Sequence, residues 1–379
     1  MKKILVVGSL AESLVNFRGE LLQQMVADGH RVLAAAPPGP AWVDGVLAGW
    51  GVQRRVLPLS RTGTSVAADL KLLMALRRLC RDECPDAVLS YTIKPVVYAT
   101  LAARWTGVPR VVAMVTGLGF SFMQARTIKQ RLVQQVARGL YGLAMRNAHV
   151  ALFQNPDDEA AFRALRLLPE SLDVRRINGS GVNLEHFAVQ ALPQGPCRFL
   201  MIARLLADKG VREYFEAAAI VKAKRPEVEF HLVGPFDSNP SAVTRAELAA
   251  AVAGGAVTYH GAAEDVRPYL RDCHVYVLPS YREGMPRSVL EALAIGRPVI
   301  TTDAPGCRET VTPGLNGSLI PVADAKALAK EALRYAAMDR VALAAQARAS
   351  RLRAEAKYDV RQVNADVLGV LGLGVSLAP

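Results

Sequence analysis

Two glutamates eight residues apart, Glu283 and Glu291, stand in the string Pro279-Ser280-Tyr281-Arg282-Glu283-Gly284-Met285-Pro286-Arg287-Ser288-Val289-Leu290-Glu291. An apolar run ends at Leu278 and helical spacing begins near Pro286 or Arg287. Glu283 therefore falls in a loop at a helix mouth, and Glu291 about one turn inside. Proline is tolerated there because first-turn N–H groups have no intrahelical partner. The same N–H groups make an anion site. One carboxylate can hold the hydroxyls of one sugar and the other those of a second, with a phosphate between them at the helix end.

The elements that must position this loop follow from the hydropathy pattern. Short apolar runs alternate with helix-period segments almost from end to end, the pattern of βα units around parallel sheets. Strands are expected at Ile4–Val7, Val32–Ala36, Ala87–Ser90, Val111–Val115 and Val150–Phe153. Helices are expected across Phe17–Asp28, Ala67–Glu83, Val96–Trp105 and Ile128–Asn147. Periodicity breaks over 179–196, where Gly, Asn, Pro193 and Pro196 precede a fresh strand at Arg198–Ile202, and the alternation then resumes. The expected architecture is α/β, with two doubly wound domains and a ligand in the cleft between the carboxyl ends of their strands. Domain bounds are expected at 1–190 and 191–358, with an apolar segment, 359–379, packing back on the first domain.

Composition limits the function classes. The 379 residues are 51% hydrophobic and 21% charged, enough for two cores, which excludes disorder and coiled coil. The 46 basic and 34 acidic side chains leave a formal charge of +12, and residues 1–190 carry most of it, with 23 basic against 14 acidic. From Ala87 to Pro156 there are eight basic residues, Lys94, Arg104, Arg110, Arg126, Lys129, Arg131, Arg138 and Arg146, and no acid. Such a stretch attracts anionic lipid headgroups, at roughly 1 kcal/mol per basic residue near the surface. The segment 128–147 adds apolar residues at helical spacing to four of these cations, an amphipathic pattern suited to a membrane interface. Five scattered cysteines imply neither a disulfide framework nor a zinc site. The start, MKKILVVGSL, reads as a buried strand and not a signal peptide, because Glu12 follows at once and no small-residue cleavage site ends the run. The longest uncharged apolar windows, Val111–Met123 and Val367–Pro379, are too short to span a bilayer. A cytoplasmic protein, peripheral on the inner face of the cell membrane, is the expectation.

The run EGMPRSVLEALAIGRPVITTDAPGCRETV resembles the donor-binding signature of retaining glycosyltransferases of the family 4 type. Similarity extends over essentially the whole chain through SLAESLVNFRGEL, LSYTIKPVVYA, TGLGFSF, FQNPDDEAAF and INGSGVNLEHF, as in members that extend polyprenyl-diphosphate-linked oligosaccharides. The resemblance implies the GT-B architecture, two Rossmann-like domains facing a central cleft. It implies that Glu283 holds the donor hexose and Glu291 the nucleotide ribose, with Gly284, Met285 and Pro286 beside them. Arg204 and Lys209, in ARLLADKG, match the cations that neutralise the donor diphosphate. Two fixed cations and a helix mouth would stabilise the charge of the departing diphosphate, so no metal and no other cofactor is implied. Gly234, His260 and Gly261 fall where this family passes the nucleotide.

On the acceptor side, Gly8 ends the first strand, and Asn16, Phe17 and Arg18 are expected to open the next helix and receive the diphosphate of a lipid-linked saccharide. Lys94 and the Gly117-Leu118-Gly119 turn point to the same cleft. No GxGxxG follows the first strand, which argues against a dinucleotide fold. The expected activity is transfer of a hexose or N-acetylhexosamine from a nucleotide sugar, UDP-linked, to a polyprenyl-diphosphate-linked saccharide in polysaccharide, O-antigen or glycan assembly. The alternatives are a sugar-nucleotide 2-epimerase on the same kind of fold, which needs acid and base groups but no acceptor, and a non-catalytic membrane-binding module. No nucleic-acid partner is expected, because aromatic and basic residues are not interleaved as in RNA binders.

Overall fold

The short apolar runs form the inner strands of two wholly parallel sheets in a computed structural model that describes residues 1–60, 65–118, 128–237, 239 and 241–374. The first unit comprises Met1–Ser180 and the segment from Arg361 onward. Its elements are β1 (Lys3–Val7), α1 (Ala11–Asn16), α2 (Gly19–Ala27), β2 (Arg31–Ala36), α3 (Ala41–Gly49), β3 (Gln53–Val56), α4 (Val66–Glu83), β4 (Ala87–Tyr91), α5 (Ile93–Trp105), β5 (Arg110–Val115), α6 (Ile128–Asn147), β6 (Val150–Phe153), α7 (Pro156–Ala164) and β7 (Asp173–Arg176). Strands lie in the order β3-β2-β1-β4-β5-β6-β7. The sheet is buried on both faces, which is why its strands read as continuous apolar runs. Leu5, Leu33, Val88 and Val111 pack on one side, together with Leu72 and Leu76 of α4 and Val96 of α5. Ile4, Val32, Leu89 and Val112 pack on the other.

The second unit, Gly181–Val360, contains β8 (Arg198–Ile202), α8 (Val211–Lys222), β9 (Glu229–Val233), α9 (Arg245–Ala253), β10 (Thr258–Tyr259), α10 (Arg267–Asp272), β11 (Val275–Leu278), α11 (Arg287–Ile295), β12 (Val299–Thr302), β13 (Gly317–Ile320), α12 (Ala325–Ala336) and α13 (Arg340–Lys357). Its strand order is β10-β9-β8-β11-β12-β13. A final helix, α14 (Val360–Val370), returns the chain to the first unit. There Val367, Leu368 and Leu371 join the Ile4 core, Lys2 Nζ donates to Gly372 O at 2.7 Å, and Arg110 Nε donates to Val370 O at 2.7 Å.

In each sheet the strand order reverses once, between β1 and β4 and between β8 and β11. Connections leave these neighbours toward opposite sides of the sheet, and the carboxyl ends of such a strand pair are where doubly wound folds place their ligands. The division of the chain falls at Ser180, ahead of the expected 190, because residues 181–190 are bonded into the second unit. Val182 N–H donates to Tyr358 O at 2.7 Å, Val360 N–H to Val182 O at 3.1 Å, and Gln190 N–H to Ile295 O at 3.0 Å. Three strands carry no sequence signal: β3 (QRRV) and β7 (DVRR) are polar sheet edges, and β13 (GSLI) is short. Gly119 and Arg126 lie outside the described residues.

His274 joins β8 to β11, accepting Arg198 N–H on Nδ1 at 3.1 Å and donating its own N–H to Arg198 O at 2.9 Å. Burial, with Arg198 nearby, pushes its imidazole from the ordinary 6.5 down to about 4. The unfolded chain therefore binds a proton that the fold rejects, and stability is lost as pH falls from about 6.5 to about 4. Urea unfolding should show a loss of roughly 2–3 kcal/mol across that window from this group. His274→Asn, which keeps an acceptor for Arg198 N–H, should flatten the dependence by that amount.

Candidate active site

At the β8/β11 reversal two loops meet. The β8 loop carries Arg204 and ends in a single 3₁₀ turn, Ala207–Lys209, and the β11 loop carries Glu283. Lys209 Nζ donates to Glu283 Oε1 at 2.5 Å, with side chains only 17% and 15% exposed. Ser280 Oγ lies 2.8 Å from the same carboxylate oxygen. Tyr281 N–H donates to Asp208 O at 2.8 Å, so backbone as well as side chains hold the two loops together, and Glu283 N–H donates to Pro305 O of the loop after β12 at 2.9 Å. Gly210, at φ +74°, lets the Lys209 turn lie against the β11 loop; a Cβ there would collide with Pro279 O.

Pro286 is the N-cap of α11, and its carbonyl accepts Val289 N–H at 3.0 Å and Leu290 N–H at 3.2 Å. The proline side chain makes no cap hydrogen bond. Gly284 is buried, and Met285 packs against the core of the second unit. Glu291, inside the helix, is buried and pairs with Arg287 Nε at 2.8 Å. Burial holds its carboxyl above the usual carboxylate range, while Arg287 pulls the other way. Arg204 meets Asp237, past β9, with Nη1 2.6 Å from Oδ2.

Gly234 ends β9 with φ +150°, and a Cβ would collide with Ala203 O, so the close approach of the β8 and β9 ends requires glycine. Its N–H donates to Gly261 O at 2.8 Å. His260 stacks on His231, with His260 Nε2 2.8 Å from His231 Nδ1, and His231 Nε2 lies 3.2 Å from Glu229 Oε2. Burial, and then His231, push the His260 imidazole below its ordinary value, which favours its neutral form.

The first unit builds a second charged cluster at its β1/β4 reversal. Asn16, Phe17 and Arg18, expected to open one helix, straddle a break between two. Asn16 is the exposed last residue of α1, and Arg18 is the N-cap of α2. At the break the Arg18 guanidinium turns inward. It lies 5.0 Å from the Tyr91 ring centroid and donates to Ser180 Oγ at 3.2 Å. Tyr91 Oη in turn lies 2.8 Å from Ser13 Oγ. Lys94 sits in the first turn of α5, which starts at Ile93, ahead of the expected Val96, and its Nζ lies 2.7 Å from Asp69 Oδ1 of α4. The N-cap of α5, Thr92, has φ +68°, a strained conformation of the kind that clusters at functional sites. Gly117 follows β5 with φ +129°.

Asp237, Ser280, Arg287 and His231 were not singled out from the sequence. Arg287 is four residues before Glu291 on a helix, a spacing that pairs side chains and could have revealed it. Asp237 gave no such signal, since its partner is 33 residues away in the chain.

Two parallel doubly wound units, each with one strand-order reversal, form the two-domain architecture of the GT-B class. The description "Glycosyl transferases group 1" matches residues 196–337, and "Glycosyl transferase 4-like domain" matches residues 15–175. The chain is 34% identical over 295 residues to the N,N'-diacetylbacillosaminyl-diphospho-undecaprenol alpha-1,3-N-acetylgalactosaminyltransferase of Campylobacter jejuni, covering 74% of this chain and 76% of that protein. It is 27% identical to the Escherichia coli UDP-Gal:alpha-D-GlcNAc-diphosphoundecaprenol alpha-1,3-galactosyltransferase, covering 69% and 68%. Among solved structures, Anabaena HepE in complex with UDP and glucose superposes with a TM-score of 0.77 at 18% identity, covering 98% of this chain and all of that one. The chain belongs to this family of glycosyltransferases. A 2-epimerase is not favoured by these relatives.

Proposed function

We propose that the protein is a retaining, metal-independent glycosyltransferase that moves a hexose or N-acetylhexosamine from a UDP-sugar to a polyprenyl-diphosphate-linked saccharide. The observation that carries the donor site is the Lys209–Glu283 pair at the β8/β11 reversal, with Arg204 on the same loop as Lys209. Family membership supports the reaction, and the two relatives named above, each acting on a diphospho-undecaprenol-linked sugar, support the acceptor class.

In this reading Arg204, Lys209 and the mouth of α11 receive the diphosphate, Glu283 orients the hexose hydroxyls, and Glu291 the ribose. The bond from the anomeric carbon to the phosphate oxygen breaks as the acceptor hydroxyl attacks from the same face. The acceptor proton passes to the departing phosphate oxygen, so no side-chain base is required. Both relatives are named for alpha-1,3 products, and an α-glycoside formed from an α-linked nucleotide sugar keeps its anomeric configuration. Arg204 and Lys209 supply the positive charge that a metal would otherwise bring to the diphosphate. Arg18 is proposed for the acceptor diphosphate, with Asn16, Lys94 and Gly117 on the segments that follow β1, β4 and β5 of the same sheet.

Work at the inner membrane face follows from the acceptor. No helix among the described residues is long and apolar enough to cross a membrane. On α6, however, Ile128, Leu132, Val136 and Leu143 are exposed along one face beside the exposed Arg131 and Arg146. On α4, Val66, Leu70 and Met74 are exposed at the same four-residue spacing. On α6 the apolar side chains stand among cations within a stretch free of acid, which suits an anionic bilayer surface.

Glu283→Gln should reduce transfer from a radiolabelled UDP-sugar panel to undecaprenyl-diphosphate-linked saccharides by about 10²-fold or more, on the scale of losing a preorganised transition-state contact. Its melting temperature should change little; wild-type turnover would reject the assignment, as would release of an epimeric nucleotide sugar without acceptor. Co-sedimentation with vesicles containing anionic lipid should weaken with salt and with Leu132→Asp/Val136→Asp. Pelleting indifferent to lipid charge, salt and these substitutions would remove the membrane face.

A further inference from the structure

We propose that Asp237 is a positioning residue for Arg204, holding its guanidinium ready for a nucleotide diphosphate; the inference rests on the donor-site reading above. Arg204 lies just past β8 with its side chain 44% exposed, whereas the Asp237 side chain is 17% exposed. Asp237 Oδ2 accepts from Arg204 Nη1 at 2.6 Å, and its Oδ1 accepts Asn239 N–H at 2.8 Å. Asn239 Oδ1 then takes Ser241 N–H at 2.9 Å and Ser241 Oγ at 3.0 Å. The carboxylate is thus engaged on both oxygens, one by Asn239 N–H and one by the arginine.

Pro235, Ser241 and Val243, on either side of Asp237, are fastened to the loop that carries Arg204. Leu205 N–H donates to Pro235 O at 3.1 Å, Ala207 N–H to Ser241 O at 3.0 Å, and Val243 N–H to Leu205 O at 2.8 Å. Asp237 and Arg204 therefore stand on one laced platform, and their separation is set by backbone.

An arginine this exposed has many rotamers, and freezing it on a ligand opposes binding. A partner that has already fixed the side chain removes that opposition. Asp237 engages Nη1, while a guanidinium offers five N–H donors in a planar fork, so the Nε and Nη2 edge can meet phosphate oxygens. The carboxylate also repels an arriving diphosphate, so the sign of its net effect separates positioning from competition.

Calorimetry with UDP, GDP and dTDP on wild-type protein, Arg204→Ala, Asp237→Ala, Asp237→Asn and the Arg204→Ala/Asp237→Ala pair decides it. For the diphosphate that wild-type protein binds most tightly, Arg204→Ala should weaken affinity roughly tenfold, as for loss of a charge-assisted hydrogen bond. Either Asp237 substitution should weaken it about three- to fivefold, the scale of a lost preorganised side chain. In the Arg204→Ala background Asp237→Ala should cost nothing more, because Asp237 acts through Arg204. Affinity equal to or above wild type in both Asp237 variants would make Asp237 a competitor, and a loss that persists without Arg204 would make its role structural; each overturns the proposal. Wild-type affinity in Arg204→Ala, or no diphosphate binding at all, would instead overturn the donor-site reading and this inference with it.

Discussion

A lysine and a glutamate that meet at 2.5 Å, both largely withdrawn from solvent, can be held together only if their two loops are fixed against each other. Lys209 and Glu283 are 74 residues apart in the chain, so the fold must supply their proximity. It does so by placing β8 beside β11, with Val275 opposite Phe199 and Tyr276 opposite Leu200. The loops leaving the carboxyl ends of those strands then touch. Gly210 permits the contact, Tyr281 N–H fastens it, and Ser280 presents a hydroxyl to the carboxylate. The alternation of strand and helix along the chain is the means by which these charges arrive at one place.

The first unit repeats the design with different chemistry. At its β1/β4 reversal an inward-turned arginine, Arg18, lies over Tyr91, and strain is held in the next residue, Thr92. Arg18 is buried where Arg204 is half exposed. The cation withdrawn from water sits against a ring face, the Ser180 hydroxyl and the Met114 sulfur, while the exposed one meets a carboxylate that limits its rotamers. The two arginines thus show two ways of holding a guanidinium at the carboxyl edge of a sheet.

What the sequence discloses follows burial. The inner strands, such as Ile4–Val7 and Val275–Leu278, are apolar on both faces and legible at sight. The edge strands β3 and β7 carry arginines at half their positions and read as loops. The break at Phe17–Arg18 interrupts helical spacing without a proline, and the contact made there, Arg18 with the Tyr91 ring, joins residues far apart in the chain. Glu283 and Glu291 were legible because one string holds both with the helix between them. Their partners were less so: Arg287 is local, but Asp237 and Asp69 become neighbours of Arg204 and Lys94 only through strand pairing and helix packing.

The Lys209–Glu283 pair and Arg204 are proposed to receive the donor. A crystal structure of the protein with an intact UDP-sugar would decide it. Diphosphate oxygens should lie within hydrogen-bond distance of Arg204 and Lys209, with sugar hydroxyls on Glu283. A nucleotide sugar bound with its diphosphate away from both cations would overturn that assignment.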